Sequence, residues 1–384
     1  MIDCQRHRFS IPDSVHYLNC AYMSPLLTSV QEAGIAGVRR KARPWEILGD
    51  DFYTPSEELR AMAAKLVNAS ADAVALIPAA SYGAAIAGAA VPLRRGQNVV
   101  MPAEEFPSVV YVWRERCRRS GAEVRTVPRP EDSAFPSRRW TERLLDAIDE
   151  NTAAVALTIV HWTDGTAFDL QAIGDRARDV GAAFILDGTQ SVGAMPFDFQ
   201  EVRPDFFYCA GYKWCLGPYS LGFAVVGERF MDAEPIEYNW IVRKDSDDFA
   251  RLVDYRDEYQ PGARRFDVGE RSNFILVPML TESLRQIMEW TPEGIQQYCT
   301  KLTEGLSGML GDSPYIITRP GETGAHLFGI RTPDPELLPG IQQELNRRGV
   351  HVSLRGTAIR VSPHVYNTAA DMAALAEALI AALR

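Results

Sequence analysis

Residues 182–226, AAFILDGTQSVGAMPFDFQEVRPDFFYCAGYKWCLGPYSLGFAVV, hold three short apolar runs separated by turn-forming residues. The runs AAFILD, FFYCA and LGFAVV are apolar throughout rather than alternating, as expected of strands covered on both faces. Asp187 closes the first run, and a lone lysine, Lys213, follows the second. A carboxylate at the end of a fully apolar strand is costly unless a cation meets it, so Asp187 implies a positive partner.

The same alternation extends upstream to Val74 through AVALIP, YGAAIAGAAV, NVVMP, SVVYVWRERCRR, EVRTV, TERLLDAIDE, AAVALTIV and LQAIGDRARDV. Strand, helix and strand at this spacing predict crossover units and an α/β fold with a mostly parallel sheet. In such sheets ligands collect beyond the carboxyl ends of the strands, so the residues just after each apolar run carry the most weight. Beyond Phe274 a long helical pattern leads into AHLFGIRT, a helix near ELLPGIQQELNRRG, two short strands (HVSL and AIRVS) and a terminal helix from Ala369. This predicts a smaller α+β domain.

A chain of 384 residues exceeds one ordinary core, which agrees with a large and a small domain. Its formal charge of -10 argues against nucleic acid or an anionic membrane as partner and favours a small molecule. The start MIDCQRHRFSIPDSVHYLNC lacks a signal-length apolar core, and no later run approaches the roughly 18 apolar residues of a spanning helix, so a cytoplasmic address is expected. The six cysteines form no CxxC pair and no His/Cys cluster; neither a disulfide framework nor a metal site is expected.

Three strand ends carry chemistry. A desolvated lysine loses its proton readily and attacks carbonyls, which gives Lys213 a use. The run AVALIP ends in AASYGAAIAG, where small residues and Ser81 open a helix suited to an anion. A carbonyl for Lys213, a ring cation for Asp187 and a phosphate for the helix start together describe pyridoxal 5′-phosphate.

The segment LDGTQSVGAMPFDFQEVRPDFFYCAGYKWCLGPYSLGFAVV resembles the cofactor segment of the class V aminotransferase family of fold-type I pyridoxal phosphate enzymes. That group includes cysteine desulfurases, kynureninases and isopenicillin N epimerase. YLNCAYMSPL resembles its entry segment, RFDVGERSN the loop that reaches a neighbouring subunit, and IRVSPHVYNTAADM the strand and helix start bearing the substrate-carboxylate arginine. The resemblance implies a large domain over 26–273 with a seven-stranded-type sheet between helices, and a small α+β domain over 274–384. Residues 1–25 would pack with the small domain, and a homodimer would share its active sites.

Carried over, the resemblance makes Lys213 the Schiff-base lysine and the base for the substrate's α-proton, with Asp187 on the ring nitrogen and Gln190 at the ring hydroxyl. It implies Phe106 as the stacking residue, with Tyr212, Ser81 and the backbone at Ala80 around the phosphate and Asn273 donated by the partner subunit. Arg360 would clamp the substrate carboxylate, with Arg355, Trp162 and His161 as further substrate-side candidates. His161 is equally readable as a satisfied structural histidine, Trp113 reads as core, and Cys209 and Cys215 as small buried hydrophobes. Asn239, Trp240 and Arg243 either line the substrate mouth or pack a dimer. Two departures matter: Ala210 stands where many relatives have a phosphate-binding serine, and no cysteine follows Cys299, which disfavours a protein-persulfide desulfurase. The implied reaction exchanges the lysine imine for the substrate's amino group, leaving an α-carbanion. Transamination is the default outcome; C–S or β-elimination and epimerisation are the alternatives, and a non-catalytic cofactor-binding subunit is the remote one.

Overall fold

The computed structural model describes residues 2–130, 136–318, 321–332 and 334–383. In chain order, β1 (His16–Tyr17), α1 (Thr28–Lys41) and α2 (Thr54–Leu66) precede β2 (Val74–Ile77), α3 (Ala80–Ala90), β3 (Asn98–Pro102), α4 (Pro107–Ser120) and β4 (Glu123–Val127). There follow α5 (Pro136–Ala147), β5 (Thr152–Thr158), α6 (Leu170–Asp179), β6 (Ala183–Asp187), α7 (Phe199–Val202), β7 (Phe206–Ala210) and β8 (Gly222–Val226).

Strands β2 to β8 form one seven-stranded sheet in the order β2-β8-β7-β6-β5-β3-β4. All neighbours are parallel except that β8 runs antiparallel to both β7 and β2. The exception has a local cause: the connection 211–221 is too short to hold the crossover helix a parallel return needs. Every residue of β2, β3, β5, β6, β7 and β8 is buried, which explains their unbroken apolar runs. Strand β4, at the edge, carries exposed Glu123 and half-buried Arg125, as edge strands commonly do. Since β2 is parallel to β7 across β8, the carboxyl ends of β2, β3, β5, β6 and β7 all face one side.

The remaining helices are α8 (Leu276–Trp290), α9 (Pro292–Thr303) and α10 (Leu306–Leu310), followed by β9 (Ile316–Ile317), β10 (Phe328–Arg331) and α11 (Leu338–Arg347). Strands β11 (Val350–His351), β12 (Ser353–Arg355) and β13 (Ala358–Val361) and helix α12 (Ala369–Ala381) complete the chain. An antiparallel sheet β12-β13-β10-β9 packs with α10, α11 and α12 around Ile330, Ile359, Leu345 and Leu379. Strand β1 pairs in parallel with β11, and Asn19 bridges Ser362, so the amino-terminal segment is tied to the carboxyl-terminal sheet.

The long helical pattern after Phe274 is broken where Pro292 takes the first position of α9 and the Thr291 hydroxyl accepts from the Gly294 N–H, an ordinary helix start. Helix α8 does not belong to the small core as a boundary at 274 implies. Its Val277, Leu280, Leu284 and Ile287 join the core of the large sheet. The helix approaches α1 so closely that a Cβ at Gly34 would sit 2.7 Å from the Met279 sulfur, and one at Gly37 2.5 Å from the Phe274 carbonyl just before the helix.

A buried ion cluster covers the free edge of β2. The Asp267 carboxylate accepts from the Leu76 N–H at 2.7 Å, from Arg60 Nη2 at 2.7 Å and from Arg271 Nη1 at 2.9 Å. Arg60 also donates to the Val74 carbonyl. All three charged side chains have 0% exposure. Removing the anion leaves the two buried guanidiniums only the partly exposed Glu57 carboxylate, which reaches Arg60 Nε at 3.2 Å and Arg271 Nη1 at 3.1 Å, so Asp267→Ala is expected to cost about 3 kcal/mol. Denaturant unfolding checks this; a loss below about 1 kcal/mol would show that the cluster is not holding the edge.

Candidate active site

The common strand-end side of the large sheet gathers the side chains that the sequence singled out. Asp187 ends β6, Lys213 sits in the short turn after β7, and Thr158 ends β5. Lys213 is 5% exposed, with Nζ 5.5 Å from the Phe106 ring centre and 5.5 Å from that of Tyr212. Burial, and then the nearby Arg360 charge, bring its amine down to about 8; Asp187 pulls the other way. A neutral, nucleophilic amine is thereby accessible close to neutral pH.

Asp187 is buried, and its Oδ1 accepts from the Thr189 N–H at 2.8 Å. Burial pushes its carboxyl up, while hydrogen bonds from Thr189 and the charge of Lys213 favour ionisation. A further cation beside it would shift that balance toward the carboxylate. Gln190 is held at both ends of its amide: Oε1 accepts from Trp214 Nε1 at 3.1 Å, and Nε2 donates to the Ala21 carbonyl at 3.2 Å. One amide hydrogen remains for a group in the cavity.

A cavity of about 190 Å³ lies among Ala80, Ser81, Phe106, Asp187, Gln190 and Lys213. It adjoins a second region of about 340 Å³ that shares Lys213, Phe106, Trp162 and Tyr212 and extends to Arg355 and Arg360. At the inner end, α3 has Ala79 at its N-cap with no side-chain cap, so its first N–H groups are available to an anion. Phe106 packs edge-on to Trp162, centres 5.5 Å apart. Trp162 is fixed by its indole N–H, which donates to the Glu104 carbonyl at 2.6 Å.

Several expected residues lie elsewhere. His161 does not line the cavity; its Nδ1 meets the Thr163 hydroxyl at 2.8 Å, its Nε2 meets the Ala103 carbonyl at 3.1 Å, and burial lowers it to about 4. It is a buried structural ring, which removes it from the substrate side. Asn273 lies outside the cavity too, exposed, with Oδ1 accepting from the N–H groups of Ile275 and Leu276 at the start of α8. Trp113 is fully buried, as are Cys209 and Cys215, whose sulfurs lie 4.0 Å apart, and all six cysteines are free. Asn239, Trp240 and Arg243 line a separate cavity of about 610 Å³.

Sequence reasoning missed Glu105. Its buried carboxylate accepts from the N–H of Phe106 at 2.7 Å and of Thr158 at 2.9 Å, tying Phe106 to the end of β5. Burial pushes it up to about 7 against those hydrogen bonds. The signal was the acid immediately before Phe106 in EEFP, in the short connection that follows an apolar strand. Tyr22 and Tyr219, which also line the outer region, carried no such signal.

These residues fit pyridoxal 5′-phosphate: an uncapped helix start for the phosphate, an aromatic face at Phe106, a buried acid for the ring nitrogen, and an amine of lowered pKa for the aldehyde. Among the described residues no group of His, Cys, Asp and Glu is arranged to hold a metal ion, and no helix is long and apolar enough to cross a membrane.

Residues 38–375 match the family described as Aminotransferase class-V. A probable cysteine desulfurase of Methanothermobacter thermautotrophicus is 28% identical over 348 residues, covering 84% of this chain and 82% of the relative. Isopenicillin N epimerase of Streptomyces clavuligerus is 25% identical over 400 residues, covering 97% and 96%. The fold matches that of the cystine C-S lyase C-DES bound to its product cysteine persulfide, with TM-score 0.84 at 18% identity over 96% of this chain and 97% of that one. The chain belongs to the class-V aminotransferase family. Its cofactor is pyridoxal 5′-phosphate, and its fold is that of the fold-type I enzymes.

If Lys213 anchors the cofactor, borohydride reduction of the loaded protein fixes the added mass to the Lys213 peptide. The rate of attachment to apoprotein should rise with pH up to about 8 and level off above it, because only the neutral amine reacts. A rate still climbing toward the ordinary lysine range, or label on another lysine, would contradict this.

Proposed function

We propose that this enzyme acts at the α-carbon of an amino acid with Lys213 as its single base, and that transamination is its default outcome. Bound pyridoxal 5′-phosphate supplies an aldehyde carbon that joins an amine and a protonated ring that takes up the electron pair left at the α-carbon. Asp187, which accepts from the Thr189 N–H, would as a carboxylate hold the proton on the ring nitrogen of the bound cofactor. Arg360 donates Nη1 to the Trp162 carbonyl at 2.8 Å, and its remaining N–H groups bind the substrate carboxylate, orienting the α-hydrogen toward Lys213 Nζ. Phe106 and Trp162 wall the reacting region against water.

The observation that carries the reading is the inventory of bases. With Asp187 committed and His161 outside the cavity, the other titratable groups besides Lys213, Arg355 and Arg360 are tyrosines among the described residues. Tyr212 is pushed up to about 12 by burial. Epimerisation through two bases needs a second proton carrier opposite Lys213, which a phenol of that pKa serves poorly. Loss of a β-substituent uses the same single base and is the second reading. A protein-persulfide desulfurase is disfavoured: among the described residues no cysteine lines the cavity, and Cys299 is buried with its thiol pushed up to about 12.

A second copy of the chain belongs to this proposal, bringing its Asn273 to the neighbouring site. Exposed Trp45, Leu48, Val253 and Tyr255 offer apolar surface to it. A cytoplasmic setting, where free thiols persist, suits the unpaired cysteines.

The test is incubation of the loaded enzyme with single amino acids and a 2-oxo acid acceptor, followed by mass analysis. The expected product is the 2-oxo acid with the donor's carbon skeleton; Lys213→Ala abolishes it, and Arg360→Lys raises KM about tenfold or more, since an ammonium lacks the fork. Recovery of the inverted amino acid, or of pyruvate with a released β-group, would overturn transamination in favour of the alternative.

A further inference from the structure

Two guanidiniums, not one, face the substrate region. Strands β12 and β13 pair Ser353 with Arg360 and Arg355 with Ala358, so Arg355 and Arg360 stand on the same face of the hairpin as diagonal neighbours. The turn between them is closed by Gly356 at φ +56, a conformation that favours glycine. Both arginines line the region of about 340 Å³ that also contains Lys213.

Neither has a carboxylate within ion-pair distance among the described residues, in a chain with 50 acids against 40 Lys and Arg. Arg360 is 1% exposed; its Nη1 reaches the Trp162 carbonyl, and its buried Nε has no partner. Arg355 donates Nη1 to the Leu354 carbonyl at 2.7 Å, lies with its guanidinium carbon 5.6 Å from the Trp162 ring centre, and also has a buried Nε with no partner. Trp162 thus supports both, one through its carbonyl and one through its ring. The two cations also act on each other and on Lys213, with Arg355 lowering the pKa of both neighbours.

One α-carboxylate neutralises only one of these cations. The other, half-buried and lacking an internal counter-ion, matches a second carboxylate through its planar fork. We propose that the site selects amino acids carrying a second carboxylate on the side chain, Arg360 taking the α-carboxylate and Arg355 the distal one. This rests on the reading of the chain as an amino-acid enzyme and adds the class of side chain. Arg355 is then a specificity-determining residue, whereas a neutral side chain would leave its charge uncompensated at the mouth.

The experiment uses the loaded enzyme and follows the cofactor absorbance during titration with the amine-free diacids succinate and glutarate and the monoacids propionate and butyrate. Turnover of aspartate and glutamate is compared with that of asparagine, glutamine and alanine. The wild type should prefer the better-fitting diacid over its monoacid by about tenfold to a hundredfold, the worth of one charge-assisted pair. In Arg355→Gln that ratio should fall toward one, and in Arg355→Lys, which keeps the charge and loses the fork, it should lie between. A ratio near one in the wild type, or an undiminished ratio in Arg355→Gln, overturns the proposal. So does a loss of preference that sedimentation traces to separated subunits, since Arg355 would then pair with an acid of a second copy. If alanine, asparagine and glutamine react as well as the acids, this inference falls and the proposed function stands. If no amino acid perturbs the absorbance or is converted, the proposed function falls and takes this inference with it.

Discussion

Keeping a lysine amine out of water beside a buried carboxylate is the constraint on which the rest depends. Lys213 lies just past β7 and Asp187 at the end of β6, parallel neighbours in the sheet, so the register that buries both strands also brings the two groups to one edge. Desolvation then does chemical work: it lowers the proton affinity of the amine and raises that of the acid. Because the turn after β7 is too short for a crossover helix, the chain must return antiparallel as β8, which carries β2 to the sheet's end and sets the start of α3 on the same side. Sheet topology and phosphate-ready helix start have one cause.

The walls of the site come from distant parts of the chain. Glu105 ties Phe106 to Thr158, so the aromatic face is fixed to the sheet rather than to a free loop. Ala21 and Tyr22 arrive from the amino-terminal segment, which is bound to the carboxyl-terminal part of the chain by β1–β11 pairing and the Asn19–Ser362 bridge. Arg360 comes from β13 and is locked by the Trp162 carbonyl, a contact that crosses from the small sheet to the large one. The polar contacts at the centre are thus positioned by secondary structure, the condition for pre-organised binding.

Much of this was legible in the sequence because parallel strands buried on both faces leave continuous apolar runs, and their ends mark the ligand side. Lys213 and Asp187 stand out there as charges with no local reason to be where they are. His161 stayed open between two readings for the same reason: it too follows an apolar strand, but its ring turns inward to Thr163 and Ala103, which no linear pattern records. Glu105 was passed over because its role is to hold a backbone N–H, and its partner at Thr158 is remote in sequence. The apolar stripe of α8 fits either core when read from sequence; its packing on the large sheet appears only in three dimensions, where Val277, Leu280, Leu284 and Ile287 join that core. Arg355 was visible as a residue, but its lack of a counter-ion became apparent only from the hairpin register and the surrounding side chains.

The central claim, that Asp187 remains ionised to hold a proton on the ring nitrogen of the cofactor, is tested most directly by nuclear magnetic resonance of enzyme loaded with pyridoxal 5′-phosphate labelled with nitrogen-15. The account predicts a ring-nitrogen shift of the protonated form from neutral into mildly alkaline pH in the wild type, and a shift of the deprotonated form in Asp187→Asn under the same conditions. Identical shifts in the two proteins, or a deprotonated ring in the wild type, would contradict it.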